Sequence, residues 1–304
     1  MILFPYKADV ELHRWPLMTL IVCVVCAWVY ARQAISEHSY ENAVESYCSS
    51  LTTDERLLVR YLEVPADASY CDVLLHIRKE SDQDAAIKEL AKTSRPTPFY
   101  SKRADNIEYI HGVLTESTQR FKQDVPRTLT DKLHFDPNHA TLLTTVTAAF
   151  SHADIWHLLS NLIFFFAFAA SVEAIAGYTY YFGFFLLSAI GTHFAYAYSV
   201  SGQDTAMPTI GLSGVVMAMM AFLATIKPDL RIRCFFWFLV FIRRFSVPAL
   251  AIAALYIGEN LYDYKHLDPK SNINYVAHIS GAAIGILMGF IYRMRNDEYL
   301  IDLR

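Results

Sequence analysis

Charge is scarce in this chain. Only 18% of its 304 residues are charged, and 26 Lys and Arg stand against 30 Asp and Glu for a formal net charge of -4. That leaves no basic surface of the kind a nucleic-acid partner requires. No H-E-x-x-H occurs, and His152 and His157 are five apart, about 140° around a helix, which argues against a chelating pair there; no metal site is expected. The one C-x-x-C, Cys23 and Cys26, sits in an apolar run. Without the βαβ pattern of a thioredoxin around it, it reads as packing, not redox chemistry. Neither an internal repeat nor a pair of broken helices is present, which counts against a solute carrier.

What the chain does have is apolar length. It is 54% hydrophobic and 14% aromatic, and the apolar residues are gathered in six stretches that approach the ~20 residues needed to cross a bilayer. These are Pro16 to Arg32, Trp156 to Gly177, Tyr178 to Val200, Ile210 to Ile226, Val247 to Tyr262 and Val276 to Tyr292. An all-α membrane protein follows, a bundle of six transmembrane helices. The first stretch runs into "YARQAISEH" with no small-residue cleavage site, so it is expected to stay as an anchor.

Lys7 and Arg14 precede the first stretch; Lys227, Arg231, Arg233, Arg243 and Arg244 lie between the fourth and fifth; Arg293, Arg295 and Arg304 follow the sixth. Six crossings place these on one side, the cytoplasm by the positive-inside rule. The linker from Ser199 to Thr209 carries no Lys or Arg, and that from Asp263 to Tyr275 only Lys265 and Lys270; both belong outside. The apolar "CFFWFLVFI" between the arginines is too short to cross and is expected to lie at the interface.

Residues 34–140 are as polar as a soluble domain and lie outside by the same count. Ile107, Ile110, Leu114 and Phe121 share a helical face, and "DQDAAIKELAKT" offers a shorter amphipathic helix. Cys48 and Cys71 fall here, where a disulfide and two unpaired thiols are both open. Nothing in this stretch has catalytic spacing, so it is an accessory or recognition module, or a tether, with no partner legible. The expected order is a cytoplasmic segment 1–15, a first span 16–33, the module 34–140, a five-helix core 141–293 and a cytoplasmic tail 294–304.

Polar groups inside spans are costly and therefore informative. His157 and Asn161 stand four apart on one helical face, Ser213 lies in "GLSGVV" at the start of the fourth span, and His278 in "VAHISGAAIG" near the start of the sixth. The alternation of spans puts all of them at one depth near the outer face. A small residue at a helix contact is the plain alternative for Ser213. A hydroxyl in a first turn, beside unpaired N–H groups and the positive end of the helix dipole, fits a nucleophile better. Gly211 and Gly214 let another chain come close. His278 is the base of choice, because Gly281, Gly285 and Gly289 follow it at four-residue spacing and bring its helix near a neighbour; His193 is the competitor. Glu173 lies sixteen residues beyond His157, about 24 Å deeper, and reads as a helix-end anchor, leaving a dyad. His157, Asn161 and the Ser213 amide are the candidate oxyanion donors.

These segments resemble the rhomboid family of intramembrane serine proteases: "HADIWHLLSN" is similar to its H-x-x-x-N, "GLSG" to its G-x-S-G and "AHISGAAIG" to its A-H-x-x-G-x-x-x-G. The resemblance implies an endopeptidase that cleaves transmembrane proteins near the outer membrane face without a cofactor. Ser213 would be its nucleophile, His278 its base and acid, His157, Asn161 and the Ser213 amide its oxyanion hole, and His152 a structural histidine. A bacterial inner membrane is the expected location. The chain departs from well-studied bacterial members in having Met217 where they carry a tyrosine, no Trp-Arg pair before the second span, and a long insertion after the first. A catalytically silent binder of transmembrane clients is the alternative.

Overall fold

The computed structural model describes residues 2–10, 15–80, 82–100, 102–203, 206–238, 241–266 and 273–296. Arg14, Lys270, Arg304 and the tail from 297 onward, all used in the orientation argument, lie outside the described residues. The chain forms two compact units, Met1–Gln33 with Thr130–Arg304, and Ala34–Leu129. Residues 130–140, expected with the inserted module, cluster with the first unit.

The first unit is mainly helical. It holds the start of α1 (Leu17–Ser50), then α7 (Leu142–Phe150), α8 (Ile155–Ser199), α9 (Ser213–Ile226), α10 (Ala249–Lys265) and α11 (Tyr275–Arg295). Among the described residues α1, α8 and α11 are long and apolar enough to cross a membrane, and α9 is a shorter apolar helix. At 45 residues, α8 is about 67 Å long, twice the hydrocarbon thickness. It is two helices joined at Gly177, where φ is 77° and ψ 167°, a backbone conformation that only glycine adopts without strain. That joint falls between the second and third apolar stretches of the sequence.

The centre of the unit is α9, in which every residue but Ser213 and Thr225 is buried. A helix apolar all round belongs inside a bundle, and α8, α10 and α11 pack around it. Tyr180, Phe184, Phe222 and Tyr292 form an aromatic cluster. Glu173 is only 3% exposed. Its carboxylate accepts the Met18 and Thr19 amides at 2.9 and 2.7 Å and the Thr19 hydroxyl at 2.7 Å. It thus anchors a helix end, that of α1, where unpaired N–H groups and the helix dipole favour a negative charge.

Besides its helices the first unit carries a three-stranded antiparallel sheet, which the expected helix bundle did not include. Strands β1 (Ile2–Ala8), β2 (Arg231–Phe238) and β3 (Phe241–Pro248) lie in that order, with Ala8 opposite Ile232 and Ile232 opposite Val247. The described residues of "CFFWFLVFI", 234–238 and 241–242, thus lie in β2 and β3. The reason is a period of two: Ile232 and Cys234 are fully buried while Arg231 and Arg233 are exposed, the alternation of a strand with one covered face. Strand β3 also takes Val247 and Pro248 from the expected fifth span, so α10 begins at Ala249.

The second unit contains the rest of α1 with α2 (Thr53–Leu58), α3 (Tyr70–Lys79), α4 (Gln83–Thr93) and α5 (Arg103–Asp124). The expected α5 stripe is inside: Ile110, Leu114 and Phe121 are fully buried against Tyr47, Leu74 and Ile77, with Ile107 packed alongside. Thr52 with Glu55, and Ser69 with Asp72, form capping boxes that start α2 and α3. Cys48 and Cys71 are joined in a disulfide, Cα atoms 5.8 Å apart, which resolves the alternative left open by the sequence.

Candidate active site

The loop before Ser213 is fixed by the backbone. Phe135 and Thr209 exchange amide–carbonyl bonds of 3.0 and 2.9 Å, and the Gly211 amide donates to the Ala148 carbonyl at 2.9 Å. Gly211 turns the chain with φ at 124°, in the region that favours glycine. Helix α9 then starts at Ser213, and no side chain caps it, so its first amides have no side-chain acceptor.

Glycine sets the approach of α11. A Cβ on Gly281 would lie 2.2 Å from the Gly214 carbonyl oxygen, and one on Gly285 2.2 Å from that of Ala218. Gly214 in turn lies against Thr192, at 3.1 Å from a Cβ position. The two helix backbones are in contact, and this brings His278 Nε2 to 2.7 Å from Ser213 Oγ.

Asn260, on α10, escaped the sequence analysis. Its Oδ1 lies 2.6 Å from His278 Nδ1, and its Nδ2 donates to the Tyr256 carbonyl at 2.8 Å. A signal was available, since an amide inside an expected span is costly unless it has a partner.

The N-terminus of α8 supplies the third wall. Asp154 accepts the Trp156 and His157 amides, both at 2.8 Å, and caps the helix. The Ala153 amide donates to His157 Nδ1 at 3.4 Å, which leaves the proton of the neutral ring on Nε2. That nitrogen lies 2.9 Å from where a Gly211 Cβ would sit, with Asn161 Nδ2 at 3.9 Å. Asn161 spends one N–H on the His157 carbonyl at 3.0 Å. Ser213 and His278 thus meet directly, His157 and Asn161 lie against Gly211 two residues before Ser213, and Gly281 and Gly285 hold α11 against Gly214 and Ala218 of α9.

The remaining candidates sit elsewhere or do other work. His193 is buried, donates from Nδ1 to the Ala189 carbonyl at 2.7 Å and packs on Phe135. His152 lies in the loop before α8, not on a helix, and its ring is 5.2 Å from that of His157. Met217 is buried in the core one turn after Ser213.

The Rhomboid domain family profile matches residues 139–295. "RHOMBOID-like protein 12, mitochondrial" of Arabidopsis thaliana is 31% identical over 160 residues, which is 48% of this chain and 45% of that protein. "Rhomboid protein 1, mitochondrial" of Saccharomyces cerevisiae is 25% identical over 151 residues, 49% of this chain and 41% of its own length. The chain therefore spans less than half the length of these relatives. The matched region holds Ser213, His278, His157, Asn161 and the glycines between them, and with more than half of its length covered the chain belongs to the rhomboid family.

Proposed function

We propose that this protein is an intramembrane serine endopeptidase that cleaves transmembrane proteins near the outer membrane face. The observation that carries this is the 2.7 Å bond between Ser213 Oγ and His278 Nε2, a nucleophile and a base from two helices within direct proton-transfer reach. As Oγ attacks the scissile carbonyl carbon, its proton passes to His278 Nε2. The developing oxyanion accepts from His157 Nε2–H, the free N–H of Asn161 and the Ser213 amide. His278 then protonates the departing amine, leaving an acyl ester on Ser213. Water attacks that ester, gives a proton to Nε2 and releases the acid as the proton returns to Oγ. No step needs a metal or other cofactor.

The same proposal has six crossings, α8 counting as two, with both termini cytoplasmic. The substrate helix enters sideways from the bilayer, and residues 34–140 form an accessory module on the outer side. The relatives' names are mitochondrial and give no support to a bacterial inner membrane. On the second reading, a catalytically silent binder of transmembrane clients, the serine and histidine would have no need of each other; their direct bond favours the enzyme.

A fluorophosphonate probe on the full-length protein in detergent tests the proposal. Ser213 is expected to label and Ser213→Ala to abolish labelling, with the fragments of membrane proteins found in wild-type cells missing from the variant. A folded wild type that never labels, with client capture unchanged by Ser213→Ala, would establish the binder instead.

A further inference from the structure

We propose that Asn260 is a positioning residue that locks His278 in the tautomer needed to deprotonate Ser213; this rests on the protease proposal. The protons can be followed atom by atom. The Tyr256 carbonyl has no proton to give, so the Asn260 group 2.8 Å from it is the amide nitrogen. The amide oxygen therefore faces His278 Nδ1 at 2.6 Å, and since a carbonyl oxygen only accepts, Nδ1 carries the hydrogen. In a neutral imidazole that leaves Nε2 bare. The Ser213 hydroxyl at 2.7 Å is then the donor of its bond to Nε2, which is the arrangement general-base catalysis requires.

Without Asn260 the alternative tautomer, protonated on Nε2, could donate to Ser213 Oγ and hold the serine proton where no base can take it. Asn260 also faces the developing charge, since its oxygen dipole points at Nδ1–H while the ring holds its second proton. The place an aspartate takes in a Ser-His-Asp triad is here filled by a neutral amide. That is the choice expected beside lipid, where an ionised carboxylate would have to be desolvated. The amide needs no further side chain to aim it, because Tyr256 is one turn back on the same helix.

A merely structural interhelical bond would hold α10 against α11 and no more. The distinction is measurable on the full-length protein in micelles with a fluorophosphonate probe and with 15N-histidine NMR. Asn260→Ala is expected to lower the maximal inactivation rate by about 10- to 100-fold, with little change in the probe concentration giving half that rate. Asn260→Asp, which keeps an acceptor for Nδ1–H but gives up the N–H bonded to the Tyr256 carbonyl and must bury a carboxylate, is expected to recover part of it. In the wild type the His278 signal should be that of the Nδ1–H tautomer, and Asn260→Ala should mix or invert it. If Asn260→Ala destroys folding, the wild-type tautomer and the Asn260→Asp rate still decide. A wild-type His278 protonated on Nε2, or a folded Asn260→Ala reacting at the wild-type rate, overturns the proposal. A wild type that never labels yet has the Nδ1–H tautomer, lost in Asn260→Ala, upholds the tautomer lock and removes the protease.

Discussion

The two units are both mainly helical, yet they use glycine and cysteine in opposite ways. In the first, Gly281 and Gly285 sit where a Cβ would reach 2.2 Å from a backbone oxygen, while Cys23, Cys26 and Cys234 are free thiols. In the second, the one glycine, Gly112, has nothing within 4 Å of its Cβ position, and both cysteines are joined. The contrast follows from the solvent. Lipid offers helices little hydrophobic drive to associate, so the first unit gains from backbone contact and buried hydrogen bonds such as those of Glu173. Water drives burial of Tyr70, Ile77 and Phe121 directly, and a small unit with a modest core benefits from a covalent tie.

The sharpest break in that comparison is a methyl group. Gly281→Ala places it against the Gly214 backbone, which cannot yield as a side chain tip can, so α11 must move off α9 and carry His278 from Ser213. Fluorophosphonate labelling should fall at least ~100-fold, and the melting temperature of the first unit should drop with it. Labelling within a few-fold of wild type would mean that the contact between α9 and α11 does not set the site.

Next in size is the sulfur. Cys48 and Cys71 close a loop of 23 residues' separation, and replacing both with serine should cost the second unit about 3 kcal/mol. Hydrogen exchange on the full-length protein is expected to quicken in α2, α3 and α5 and to stay unchanged in α9 and α11. Third is Gly112→Ala, the counterpart of the first substitution. Inside α5, exposed and unobstructed, it should stabilise by about 0.5–1 kcal/mol, seen as slower exchange in α5. The same chemical change thus has opposite signs in the two units.

The physics also decides what was legible beforehand. Ser213 and His278 could be paired from sequence because glycines at fixed spacing announce close helices and because polar groups in apolar runs are conspicuous. The joint at Gly177 was visible as a stretch too long for one crossing. Asn260 was not singled out: it stands between Glu259 and Tyr262, near the polar end of its span, where an amide looks like the edge of the membrane. The sheet was missed because its aromatic residues hid the alternation, and because β1 pairs with a strand more than 220 residues away. The extension of α1 to Ser50 lay beyond an apolar-to-polar transition that reads as a boundary, though the backbone continues through it. For Cys48 and Cys71, spacing alone says nothing of whether the thiols meet.

The smallest effect expected is acid sensitivity in the second unit. Burial pulls the Glu55 carboxyl upward, but hydrogen bonds from the Thr52 amide and hydroxyl and the ion pair with Arg120 outweigh it and hold it below the usual value. Asp72 is lowered by the Ser69 hydroxyl and amide. A carboxyl whose folded pKa lies below its unfolded one stabilises fully above the unfolded value, about 4.3 for Glu, and that contribution is lost as pH falls through the folded value. Between pH 6 and pH 3 exchange in α2 and α3 should therefore speed up, after correction for its intrinsic pH dependence, by the equivalent of at most about 1 kcal/mol per group, because these pairs are near the surface. Glu55→Gln should flatten the α2 response and leave the Asp72 share in α3. An unchanged response would mean that Arg120 and Thr52 hold the carboxyl no better than water does, and that the second unit depends on its core and disulfide alone.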